Sequence, residues 1–141
     1  MHWVIHNNLL VERRLQPPYY LSDSELKLLW WLRSNANRND AILCSPMLGN
    51  YVPVLTGNPV FIGHWAETLD FNTKLGIVAS CYQWDGSERQ LAMWRKLIEE
   101  HRVRYVLVTK FERGLAGGIV SLPPFCRMVF SANGDAIYSV R

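Results

Sequence analysis

The feature that most constrains the fold is a capped amphipathic helix feeding directly into a short apolar strand. Ser87-Glu88-Arg89-Gln90 has the spacing of a capping box, and Leu91, Trp94, Leu97, Ile98 and His101 then recur on one helical face. Val103-Arg104-Tyr105-Val106-Leu107-Val108 follows, β-branched and aromatic and of strand length. A helix with one apolar stripe has to cover something, and the strand it delivers is the nearest candidate.

The same alternation occurs earlier in the chain. Ser22-Asp23-Ser24-Glu25 starts a helix, with Leu21 and Leu26 placed as a hydrophobic staple. Leu26, Leu28, Leu29, Trp30, Trp31 and Leu32 exceed one narrow stripe, so this helix is expected to pack on two sides and to leave Trp30 or Trp31 outward. Ala41-Ile42-Leu43-Cys44 reads as an interior parallel strand ending at Ser45. Residues 49–55 read as a short helix, and Pro59-Val60-Phe61-Ile62 as a second strand ending at Gly63. Phe71, Leu75, Val78 and Tyr82 set the period of the next helix.

After the strand at 103–108, residues 109–124 hold three glycines and two prolines and read as a long loop. Asn133-Gly134 then joins Arg127-Met128-Val129-Phe130 to residues 136–140 in a hairpin. The expected fold is therefore α/β, a small Rossmann-like three-layer domain whose short parallel sheet is extended by a C-terminal antiparallel hairpin. Residues 1–18, ending in Pro17-Pro18, read as a linker or arm, and residues 19–141 as the single domain.

Composition excludes several classes of function. A net charge of +3, from 15 Lys+Arg against 12 Asp+Glu, with no basic run longer than Arg13-Arg14, is too scattered for nucleic-acid binding. No apolar run approaches the roughly 20 residues that span a bilayer. Cys44, Cys81 and Cys126 have neither zinc-site nor disulfide-framework spacing and are expected as buried thiols. The glycines match no dinucleotide or phosphate-loop fingerprint, so no cofactor is expected.

In an open α/β sheet, ligands gather beyond the carboxyl ends of the strands. Here that edge carries Asn50 and the segment Gly63-His64-Trp65-Ala66-Glu67-Thr68-Leu69-Asp70. His64 and Glu67 can form a proton-transfer pair, or ligate a metal together with Asp70. Alternatively Thr68 and Asp70 cap the following helix while His64 bonds a backbone carbonyl. With no second ligand cluster, no metal is expected and no catalytic residue is assigned. The candidate binding residues are Asn50, His64, Trp65, Glu67 and Asp70.

Tyr20-Leu21-Ser22, the Leu-Trp-Trp-Leu-Arg helix, Gly49-Asn50 with Pro53, Gly63 to Phe71 with Lys74, Val103-Arg104-Tyr105-Val106, and Asn133-Gly134-Asp135 with Ile137-Tyr138 occur in a suggestive order. Over residues 19–141 this order resembles the C-terminal soluble domain of multi-spanning bacterial membrane proteins of the GT-C glycosyltransferase-like class, which use polyprenyl-linked sugars. The resemblance implies an accessory domain on the extracytoplasmic face of the cell membrane, tethered by residues 1–18. Its partners would be its own transmembrane region or the membrane surface, with a glycan or lipid-linked sugar. It implies no catalysis within the domain, because the acidic residues that act in such transferases lie in the membrane portion. The alternative is a stand-alone cytosolic Rossmann-like ligand-binding or interaction protein, which the free cysteines suit.

Overall fold

The computed structural model describes residues 21–63 and 68–140. The lead-in expected over 1–18 lies outside the described residues. Helix α1 (Asp23–Asn35) opens on a complete capping box: Ser22 accepts from the Glu25 amide, and the Glu25 carboxylate accepts from the Ser22 amide at 2.8 Å. Strand β1 (Ala41–Leu43) leads into two short helices, α2 (Pro46–Gly49) and α3 (Val52–Thr56). Helices α4 (Phe71–Cys81) and α5 (Glu88–Glu99) precede β2 (Val103–Val108). Then come α6 (Lys110–Leu115) and the hairpin strands β3 (Arg127–Ala132) and β4 (Asp135–Ser139).

The sheet order is β1-β2-β4-β3; β1 and β2 are parallel and the remaining pairs antiparallel. Strand alternation divides the interior between the two faces. Leu43, Val106 and Val108 join Val78, Tyr82, Trp94 and Leu97 beneath α4 and α5. Ile42, Cys44, Leu107 and Ile137 join Leu28, Leu29, Leu32 and Leu55 beneath α1 and α3. The small three-layer α/β fold expected from the sequence is the one observed.

Several details differ from the sequence reading. The strand expected at 59–62 is reduced to one parallel bridge, Val60 to Ile42, held by Ile42 N–H to the Pro59 carbonyl and Phe61 N–H to the Ile42 carbonyl. Pro59 has no N–H to extend the ladder, and Asn58 instead donates its side-chain amide to the carbonyls of Asn37 and Asp40. The expected loop after β2 contains α6, started by Thr109 and Glu112 in a capping box. In α5 the box is half-made: Ser87 accepts from the Gln90 amide, but the Gln90 side chain turns back to the Asp85 amide and the Ser80 and Gln83 carbonyls.

Leu91 and His101, read as core-facing, are exposed, although His101 lies edge-on to Phe61 at 5.0 Å. Trp30 and Trp31 are both half-buried, so neither is fully outward. Trp31 meets Tyr105 edge-on at 5.6 Å and stacks near Phe130 at 6.1 Å, while Arg33 lies over the Trp30 ring. Cys44 and Cys81 are buried free thiols as expected, and Cys126 is a half-buried one.

Candidate functional site at the carboxyl edge of the sheet

Two glycines bring the loops of the carboxyl edge together. A Cβ added to Gly49, the last residue of α2, would overlap the Ile62 carbonyl oxygen and sit 2.9 Å from the Gly63 Cα. From the other side, a Cβ on Gly63 would lie 3.2 Å from the Gly49 oxygen. Only glycine allows backbones this close. The parallel Ile42–Val60 bridge explains the convergence, because two chain segments running the same way deliver their following residues to one edge.

Ser45 and Pro46 set up α2 locally: the Ser45 hydroxyl accepts from the Leu48 amide, and Pro46 occupies the first turn, where its missing N–H costs nothing. Asn50 follows as the C-cap residue and is exposed. The Thr68 hydroxyl accepts from the Gly63 amide at 3.1 Å. Asp70 sits at the N-cap of α4 with φ 53° and ψ 47°, exposed, and its side chain makes no capping bond. The capping role considered for Thr68 and Asp70 is therefore not made by side chains; the Asp70 contribution is its carbonyl, which accepts from the Lys74 amide. His64, Trp65 and Glu67 lie outside the described residues.

Beneath these loops is a carboxylate that the sequence reading overlooked. Glu112 is fully buried. Its Oε2 accepts from the Ser45 amide at 2.8 Å, and its Oε1 accepts from the Thr109 amide at 2.6 Å and from the Thr109 hydroxyl. It thus ties the residue after β1 to the residue after β2. Burial pushes its carboxyl above the ordinary glutamate range, against the lowering effect of the Thr109 and Ser45 hydrogen bonds. Nearby, the Tyr82 hydroxyl is 2.6 Å from the Leu107 carbonyl and 3.2 Å from that of Leu43, and burial raises its pKa. The legible signal was Thr109-x-x-Glu112; its long-range half, Ser45, has no local signature.

The start of the described chain lies on this same edge. The Ser24 hydroxyl donates to Asp135 Oδ2, and Asp135 opens β4 just beyond the Ala136–Val108 pair. Arg113 of α6 pairs with the other Asp135 oxygen at 3.1 Å. Chemically, the edge offers amide, hydroxyl and carboxylate groups for hydrogen bonding, with Leu69 exposed among them at 73%. Among the described residues, no group of three His, Cys, Asp or Glu side chains could hold a metal ion.

No family model matches the chain, and no curated protein matches it in sequence. Among solved structures it is similar to the C-terminal globular domain of an oligosaccharyltransferase from Archaeoglobus fulgidus. The TM-score is 0.62 at 15% sequence identity, covering 86% of this chain and 99% of that one. At that identity the likeness is one of fold.

Proposed function

We propose that this domain is a soluble accessory domain of a membrane-bound glycosyltransferase-like protein that uses polyprenyl-linked sugars. Residues 1–18 are its tether and the membrane portion carries the catalysis. The observation that carries the reading is the fold likeness to the globular domain of an oligosaccharyltransferase, which spans nearly all of that domain. Among the described residues no helix is long and apolar enough to cross a membrane, as a domain resting on a separate membrane portion requires. The geometry of the carboxyl edge adds support. The chain before Leu21 joins at the edge where Gly49 meets Ile62 and Gly63, so a tether there turns that edge toward whatever it is anchored in. In this reading Asn50, His64, Trp65, Glu67 and Asp70 contact a glycan, a lipid-linked donor or the membrane portion, on the extracytoplasmic face.

The three free thiols favour a second reading, a stand-alone binding protein in a reducing compartment. Sugar transfer separates the two. With Asn50→Ala and His64→Ala placed in the membrane protein, transfer from a lipid-linked donor is expected to fall while the domain's urea midpoint holds. Unchanged transfer in both variants overturns the accessory role of this edge. The purified domain alone is expected to transfer and hydrolyse nothing.

A further inference from the structure

Helix α2 is a single turn of four residues, in which the Gly49 and Asn50 amides donate to the Ser45 and Pro46 carbonyls at 2.9 and 3.2 Å. One turn of helix does not hold by itself, because ordering its first residues is offset by too few hydrogen bonds. Its place is therefore set by what grips its two ends. At the far end Gly49 packs against the Ile62 carbonyl and Gly63. At the start the Ser45 amide donates to Glu112 Oε2 at 2.8 Å, across 67 residues of sequence. Ser45 is the residue from which the turn departs: its hydroxyl accepts from the Leu48 amide and its carbonyl from the Gly49 amide. Glu112 is itself fixed, since its Oε1 accepts from the Thr109 amide and hydroxyl within the capping box of α6 and its side chain is fully buried.

We propose that Glu112 is a positioning residue for the carboxyl-edge site, setting through Ser45 and the one turn of α2 where Asn50 stands toward its partner. This inference rests on the reading in which Asn50 makes that contact. Being fully buried, Glu112 touches no ligand itself, whereas Asn50 is exposed five residues beyond Ser45. Both carboxylate oxygens are engaged, one with each strand-following loop. Glutamine has the same shape but a single acceptor oxygen, so its amide nitrogen faces the N–H of either Ser45 or Thr109 and one side of the tie is lost. With the tie loosened, α2 is gripped only at the Gly49–Gly63 contact, and Asn50 shifts with it.

The test is a double-mutant cycle in the membrane protein, read as transfer from a lipid-linked donor well below the unfolding midpoints. Glu112→Gln is expected to lower transfer by roughly two- to tenfold, the scale of one hydrogen bond. The double variant carrying Glu112→Gln and Asn50→Ala is expected to transfer no less than Asn50→Ala alone, because a residue that acts only through Asn50 then has nothing left to position. Leu97→Ala, a buried change in the end of α5 that leads into β2, is the control for general destabilisation. It is expected to lower the urea midpoint at least as far and to leave transfer unchanged. A second measurement needs no transfer: in the folded 141-residue chain, the Asn50 side-chain amide resonances are expected to move in Glu112→Gln and to stay in Leu97→Ala. Effects of Glu112→Gln and Asn50→Ala that multiply, or Asn50 resonances that stay in place, overturn the inference. If Asn50→Ala lowers transfer and Glu112→Gln does not, the inference alone fails. If Asn50→Ala itself leaves transfer unchanged, the reading of Asn50 as a contact fails and the inference falls with it.

Discussion

Gly49 and Gly63 meet backbone to backbone, with room on neither for a side chain directed at the other. This contact seats the turn after α2 against the end of the Val60 bridge and fixes where Asn50 emerges. Gly49→Ala is therefore expected to destabilise the chain by about 1–3 kcal/mol, the usual cost of forcing atoms into a packed contact. Gly76→Ala, within α4 with open space around it, is the control and is expected to stabilise by about 0.5–1 kcal/mol. Urea denaturation of both variants checks the pair; equal effects would mean that the glycine contact exerts no constraint.

A second expectation concerns Glu112 and pH. Its folded pKa lies above the ordinary value of 4.5, so between 4.5 and that raised value the folded chain holds a proton that the unfolded chain releases. Stability from this group is thus full below 4.5, falls as pH rises through the window, and is level above it. Glu112→Gln should abolish that slope. It also turns an amide N–H₂ toward the Ser45 or Thr109 donors, at a cost of about 1–3 kcal/mol for the unmet hydrogen bond. Urea midpoints across pH 4 to 8 for both proteins measure the difference, with pH range chosen around the ordinary carboxyl value. An identical slope in the variant would assign the pH dependence elsewhere.

Thiol reactivity follows burial. Desolvation raises the pKa of Cys44 and Cys81, and it pushes the half-buried Cys126 up to about 12. All three are then protonated near neutrality and poor nucleophiles. In a thiol-labelling time course, Cys126 is expected to react first and slowly, and Cys44 and Cys81 only with global unfolding. Fast labelling of Cys44 in the native chain would contradict the packing of β1.

The helices and the hairpin were legible because their signals are local. Ser22-x-x-Glu25 caps α1, and Asn133-Gly134 adopts φ of 50° and 86°, as a two-residue hairpin turn requires. The second strand was over-read because an apolar run cannot reveal that Pro59 breaks the ladder after a single bridge. Helix α6 was hidden under a glycine-rich composition, although Thr109 and Glu112 stood at capping-box spacing. At the candidate site, parallel strand order was enough to put Asn50 and Gly63 on one edge. The glycine contact and the Glu112 bridge to Ser45 join residues far apart in sequence, and no local pattern encodes them.

The central claim is that the carboxyl edge faces the membrane portion of a glycosyltransferase-like protein. Its most direct test is site-specific photo-crosslinking in native membranes, with a photoreactive amino acid at position 50 or 69 on that edge and at position 127 on the opposite one. Asn50 and Leu69 are exposed, as is Arg127, so each of the three probes is accessible in the isolated domain. The account predicts adducts to membrane-spanning polypeptide or lipid-linked sugar from positions 50 and 69 and none from 127. Adducts from position 127 with none from 50 or 69 would contradict it.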